Sequence, residues 1–353
     1  MMKAVVYRGP GEIRLEEVPE PIIQDQEDAI VRVTAASICG SDLHVVHGLM
    51  PNMEPGSIIG HEFTGVVDAV GSAVTRVKPG DRVVGPAAVW CGRCRACLCG
   101  MRSACERGAI FGSGPLFGDL VGAQAEYVRV PFADTTLTPI PATLSDEQVM
   151  FAGDILPTAY SAVVGLSPSV RGVQRGDTVV VFGAGPVGLC AVASARLFEP
   201  RRIIAVDMEE YRLAMASRLG TDVVLDASTE DVRGAVKEIT EGWGAEYVVE
   251  AVGRQETLGN AMAVAAPGGV VSVVGVFQKP VSVNAPRMLA RNLTLTMGMG
   301  DLGHIGELVD LIAGGRLDLT PMITHRLPFG DALRAYEIFE KRIDGAVKVL
   351  LIP

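Results

Sequence analysis

Residues 177–208 read DTVVVFGAGPVGLCAVASARLFEPRRIIAVDM, and few folds accept such a stretch. An uninterrupted apolar run suits a strand buried on both faces. A glycine-rich turn follows, then about a dozen helix-compatible residues, then a second apolar run. Gly183, Gly185 and Gly188 have separate roles at this spacing. The first permits the tight turn, the second lets backbone approach a pyrophosphate, and the third allows close packing of helix on strand. Pro186 and Val187 lie between them, where free N–H groups of a helix start favour an anion. A Gly-x-Gly-x-x-Gly is weak alone, but here it follows a strand and opens a helix, the context a dinucleotide site requires. Asp207 closes the second strand, where a carboxylate accepts from ribose hydroxyls and repels a 2′-phosphate, so NAD is expected. Arg201 and Arg202 precede that strand and are poorly placed to favour NADP.

Further strand and helix segments continue the pattern: EEYRLAMASRLG as a helix ending at Gly220, then DVVLD, AEYVVEAVG, GGVVSVVG and LTLTMGMG as apolar runs. This alternation predicts a doubly wound parallel sheet. The segment before residue 150 differs. Short β-branched runs such as KAVVYRG, EDAIVRVTAAS and FTGVVDAVG alternate with Gly and Pro, which predicts an irregular, barrel-like β unit. The tail ALRAYEIFEKRIDGAVKVLLIP reads as a helix and a last strand returning to that unit. The expected partition is 1–155 with 296–353, and 156–295. Aromatics make up only 5% of the 353 residues, so the cores must be built from Val, Ala, Leu and Ile. A formal charge of −10 argues against nucleic acid as partner. No apolar run reaches the roughly 18 residues of a membrane span, and the charged N-terminus does not read as a signal peptide. A cytoplasmic chain is expected, where clustered cysteines favour metal over disulfides.

WCGRCRACLCGMRSAC places Cys91, Cys94, Cys97 and Cys105 where four thiolates can close a tetrahedral site with no open position. Such a site is structural, and its binding energy becomes local folding energy. Cys99 leaves the register open, since it could replace Cys97. The nearby arginines Arg93, Arg95, Arg102 and Arg107 would balance a dianionic tetrathiolate. A second cluster is also possible. Cys39 and His61 lie in the Gly-flanked turns SICGSD and IIGHEF, and either Glu62 or Asp154 could join them. Three protein ligands and one open position make a catalytic zinc arrangement.

The motifs CGSDLH, GHEFTGVVDAVG, VKPGDRVV, CGRCRACLCGMRSAC, DILPTAY, VFGAGPVG and DGAVKVLL occur in this order. On them the chain resembles the zinc-dependent alcohol dehydrogenases of the medium-chain dehydrogenase/reductase superfamily, essentially end to end. The resemblance implies an α/β protein: a GroES-like β-barrel catalytic domain and a Rossmann domain, with the active site in the cleft between them. It implies a catalytic zinc on Cys39, His61 and Asp154, with Glu62 able to approach the metal, and a structural zinc on the four cysteines. Ser41 and His44 match the family's proton relay, and Asp42 matches a carboxylate that orients His61. His47 has no counterpart and is expected at the surface or the pocket rim. Val252, Arg212, Lys348 and the segment 274–277 are expected near the dinucleotide, Lys348 beside the pyrophosphate. Trp90 and Phe111 fit either a substrate pocket or plain core. The implied reaction moves a hydride between an alcohol, primary or secondary, and NAD. Polyol, threonine or formaldehyde dehydrogenases share this chemistry. A zinc-free reductase would lack the thiols, and a non-catalytic NAD- or zinc-binding protein would have an inert residue at a ligand position. The resemblance also implies a homo-oligomer, tetramer or dimer, with LTLTMGMG pairing between subunits.

Overall fold

The computed structural model describes residues 1–353, which divide into two compact units: 1–154 with 302–353, and 155–301. The second unit is built on a six-stranded parallel sheet. In spatial order its strands are Val223–Asp226, Arg202–Asp207, Thr178–Phe182, Ala245–Glu250, Ala265–Val273 and Thr294–Met297. The chain starts at Thr178–Phe182, runs outward to one edge, then returns to build the other half. The order therefore reverses between Thr178–Phe182 and Ala245–Glu250, where open α/β sheets bind ligands. No residue of Thr178–Phe182 is more than 1% exposed, as an apolar run without alternation requires. Helices Pro186–Arg196, Glu210–Arg218, Val232–Ile239 and Gln255–Val264 follow successive strands. Gly220 ends the second of these in the left-handed region at φ 104°. Strand Thr294–Met297 pairs with Ala265–Val273, which carries this unit on to Asp301, past the return expected at residue 296.

The first unit has a mixed seven-stranded sheet. Its path runs Ile323–Pro328, Lys348–Ile352, Ala29–Ser37, Glu62–Val70, Arg82–Gly85 and Thr138–Pro139, with Tyr127–Val130 also pairing Ala29–Ser37. The last strand of the chain, Lys348–Ile352, thus lies inside the sheet rather than at its edge. A hairpin of Met2–Gly9 and Glu12–Val18 packs beside it. The core is mostly Val, Ala and Ile, with Phe63 and Phe111 meeting edge to face at 5.5 Å. Phe111 is fully buried and Trp90 nearly so, so both are core residues. No helix is long and apolar enough to cross a membrane.

Candidate functional site

Strand register brings the first cluster together. Ser37 pairs with Glu62, so the end of one strand and the start of the next lie side by side. Cys39 follows the first as the N-cap of helix Gly40–Val46, and His61 immediately precedes the second. Asp154 follows the turn Met150–Gly153 as the last residue of the first unit's N-terminal segment. Asp154 Oδ2 lies 3.5 Å from Cys39 Sγ and 3.3 Å from His61 Nε2. Ligands about 2.0–2.3 Å from a tetrahedral ion stand roughly 3.3–3.8 Å apart, so these spacings fit one zinc between the three. Glu62 joins the same group, all of whose ligand atoms lie within 4.8 Å of one another. Glu62 Oε2 is engaged by Lys348 and Ser37, whereas its buried Oε1 has no hydrogen-bond partner. An orphaned carboxylate oxygen at this depth is costly unless a cation is near.

The surroundings tune these groups. Asp42 Oδ1 lies 3.2 Å from His61 Nδ1, and Asp42 Oδ2 accepts the Cys39 N–H at 2.9 Å. The carboxylate therefore holds a proton on Nδ1 and turns Nε2 toward the cluster, where a metal would displace any proton that Nε2 carries. Ser41 Oγ stands 3.2 Å from that Nε2. Burial, then the charges of Asp154 and Glu62, push the Cys39 thiol up, a cost that a divalent cation reverses. Burial opposes charge on His61, but Asp42 and Asp154 outweigh it and raise its pKa well above the ordinary value. In helix Gly40–Val46, burial and then His47 lower the His44 pKa. His47 itself is exposed and bonds Glu340 at 2.6 Å.

Lys348, expected beside a pyrophosphate, has its ammonium engaged inside its own unit. Its side chain is fully buried, paired with Glu62, and its Nζ donates to Ile38 O at 3.3 Å. Nothing in the run GAVKVLL marks that burial, because the partner lies far away in the chain. Gln124 and Tyr336 also escaped the sequence reading. Gln124 Nε2 donates to Asp42 Oδ2 at 3.2 Å, and the Tyr336 hydroxyl donates to Gln124 Oε1 at 2.7 Å.

The four cysteines converge separately. The Sγ atoms of Cys94 and Cys97 are 3.5 Å apart, those of Cys94 and Cys105 3.8 Å, and those of Cys105 and Cys91 3.6 Å. Disulfide sulfurs stand about 2.05 Å apart, and these thiols are free. Thiolates about 2.3 Å from a tetrahedral zinc are expected roughly 3.8 Å apart. Helix Arg95–Leu98 sets the register: it buries Cys97 and leaves Cys99 exposed at its C-cap. Pairing of Ala88–Val89 with Ala109–Ile110 ties the two ends of the loop. Backbone N–H groups of Cys97 and Glu106 aim at Cys94 and hold its thiol down at about 6. Burial instead pushes Cys97 up to about 12, so four thiolates share this volume only around a cation. Arg93 is committed to Glu27 at 2.6 and 2.8 Å, and Arg107 stacks on Phe132 at 4.6 Å. Both tie the loop to residues outside it.

In the second unit, the glycine turn has the geometry its spacing predicts. A Cβ on Gly188 would stand 1.7 Å from Gly183 O, so only glycine lets the helix start so close to the strand. Pro186 opens the helix with Gly185 as its N-cap. A Cβ at Gly185 would meet only the tip of Arg212, at 3.9 Å, leaving the room a pyrophosphate requires. Asp207 accepts the Ala184 N–H at 2.7 Å, with Arg212 3.8 Å away. Val252 packs beside the same turn, its Cγ2 2.6 Å from a Cβ built on Gly183. Its loop is held by buried Glu250, whose Oε1 accepts from the N–H groups of Val252 and Gly253 and from Thr257. Sequence reasoning did not single out Glu250, since a carboxylate ending an apolar strand resembles any other strand terminus.

The chain is similar to known proteins along its whole length. Residues 25–142 match the family model for the alcohol dehydrogenase GroES-like domain, and residues 186–313 match that for the zinc-binding dehydrogenase domain. The chain is 35% identical over its full length, and the relative's, to the uncharacterized zinc-type alcohol dehydrogenase-like protein AdhB of Bacillus subtilis (strain 168). It is 36% identical to an alcohol dehydrogenase of Cupriavidus necator, over 100% of this chain and 99% of the other. The solved structure of alcohol dehydrogenase TADH from Thermus sp. ATN1 superposes with a TM-score of 0.94 at 42% identity, covering 99% of each chain. With two residue clusters that could each hold a metal ion and a glycine turn on a parallel sheet already in hand, these similarities identify the chain as a member of the zinc-dependent alcohol dehydrogenase family of the medium-chain dehydrogenase/reductases.

Proposed function

We propose that the protein interconverts small alcohols with their aldehydes or ketones, using NAD and a zinc ion on Cys39, His61 and Asp154. A second zinc on Cys91, Cys94, Cys97 and Cys105 has a structural role. The observation that carries this reading is the convergence of three zinc-compatible ligands beside the Ser41 hydroxyl. When bound, zinc supplies Lewis-acid polarisation of an alcohol oxygen and NAD accepts the hydride. Ser41 takes the alcohol proton and passes it toward His44, three residues on and on the same face of helix Gly40–Val46. His44 is suited to receive it: its lowered pKa leaves the imidazole neutral at pH 7. Asp42 keeps His61 in the metal-binding tautomer. Asp154 is the resting carboxylate ligand, a reading supported by its Oδ2 standing 3.5 Å from Cys39 Sγ and 3.3 Å from His61 Nε2.

Gly183, Gly185, Pro186, Val187 and Gly188 would cradle the pyrophosphate, with Asp207 on the ribose hydroxyls, Arg212 beside it and Val252 toward the nicotinamide. A carboxylate and a phosphate about 4 Å apart repel by roughly 1–4 kcal/mol. Asp207→Ser is therefore expected to raise kcat/KM for NADP by about 10–100-fold while lowering that for NAD. Initial rates with both cofactors at fixed alcohol decide this.

The chain acts as a homo-oligomer, tetramer or dimer. Support comes from edge strand Thr294–Met297, where Met297 is 51% exposed and the neighbouring Met299 is 55% exposed. The function is tested with primary, secondary and polyhydric alcohols, threonine and formaldehyde, read as NADH absorbance with metal analysis of the same sample. Turnover of simple alcohols with two zinc ions per chain is expected. No NAD reduction by any member of the panel would overturn the assignment. Turnover confined to a polyol, threonine or formaldehyde would move it within the family.

A further inference from the structure

We propose that Gln124 and Tyr336 are positioning residues for the metal ligand His61, acting on it through Asp42. The inference rests on the metal reading above and adds two residues from distant parts of the chain. A continuous hydrogen-bonded line runs from the Tyr336 hydroxyl to Gln124 Oε1 at 2.7 Å, from Gln124 Nε2 to Asp42 Oδ2 at 3.2 Å, and from His61 Nδ1 to Asp42 Oδ1 at 3.2 Å. Gln124 is 0% exposed, Asp42 1%, and both Tyr336 and His61 4%. Water therefore does not replace a missing partner along this line.

The chemistry fixes every direction. Gln124 Nε2 also donates to Ser37 O at 3.2 Å, so the amide nitrogen faces two groups that can only accept. A flipped amide would set its oxygen against a carboxylate and a carbonyl. With the nitrogen so placed, Oε1 faces Tyr336, and the phenol must donate. Burial first, and then the charge of Asp42, push the Tyr336 pKa well above its ordinary value, so the donor keeps its proton. Tyr336 thus prevents the amide from rotating, the amide orients Asp42, and Asp42 aims His61. The fold makes room for this line. Gly60, next to His61, sits at φ 88°, and a Cβ there would stand 2.3 Å from Gln124 Cγ. The amide stem passes against the backbone that carries the ligand.

The test is metal retention, with activity as a secondary readout. Cobalt is loaded into the Cys39–His61–Asp154 site while zinc stays on the four cysteines. Chelator competition and the cobalt d–d spectrum are then read for the wild type, Gln124→Leu and Tyr336→Phe. Removing partners that orient a metal ligand typically costs about 10–100-fold in affinity. Gln124→Leu is expected to weaken cobalt binding by that factor and to shift the d–d bands. Tyr336→Phe, which removes one oxygen and keeps the packing, acts one step further from the metal and is expected to weaken binding by about 3–10-fold, below that range. NADH affinity is expected to stay within about twofold, since the glycine turn is untouched. Cobalt affinity and spectrum equal to wild type in Tyr336→Phe and in folded Gln124→Leu would overturn the positioning role. A wild-type chain with no ion sensitive to Cys39→Ser would instead overturn the metal reading on which it rests.

Discussion

Cys39→Ser is expected to lower alcohol turnover by at least about 10³-fold. A Lewis-acid metal contributes several kcal/mol of transition-state stabilisation, and about 1.4 kcal/mol is a factor of ten. The variant is expected to lose one of two zinc ions and to keep its NAD affinity, because the glycine turn belongs to the other compact unit. His61→Ala is expected to behave alike. It removes the ligand on which both Asp42 and Ser41 converge, at 3.2 Å each. Metal analysis, NADH fluorescence titration and steady-state rates on one preparation separate these effects. Turnover within tenfold of wild type would remove the metal from the mechanism.

Cys94→Ser addresses the other ion. The loop from Cys91 to Cys105 has few apolar residues to bury and is tied mainly by a short pairing at its ends. Structural zinc sites supply roughly 10–16 kcal/mol of binding free energy in isolated peptides, most of it spent on ordering the chain. The variant is expected to lose one zinc, to lower Tm by several degrees, and to become open to protease within residues 91–107. The Cys39 site should keep its own ion. Cys99→Ser, by contrast, should leave metal content and Tm unchanged, because that thiol is exposed at a helix C-cap. Limited proteolysis with mass mapping, beside metal analysis, distinguishes the two.

Local features of the chain were legible where chemistry is tied to spacing. The glycine turn and the cysteine loop each place their groups within one short segment, so turn geometry and ligand count alone nearly specify them. The ambiguity between Cys97 and Cys99 was resolved only by helix Arg95–Leu98, which turns one thiol inward and the other out. Cys39, His61 and Asp154 drew attention through resemblance, since nothing in a single sequence says that residues so far apart will meet. Lys348 shows the limit most clearly. A lysine at the start of an apolar strand is ordinarily solvated, and its role beside Glu62 comes from a pairing across most of the chain. Gln124 and Tyr336 were invisible for the same reason: their function lies in partners supplied by the fold rather than in their neighbours.

Strand Lys348–Ile352 lies between Ile323–Pro328 and Ala29–Ser37, and it carries the ammonium that neutralises Glu62. The 155–301 unit is one uninterrupted stretch and can close while the chain is still being translated. The unit formed by 1–154 and 302–353 cannot, because until Lys348–Ile352 is in place its sheet keeps an interior gap and Glu62 lacks its ammonium partner.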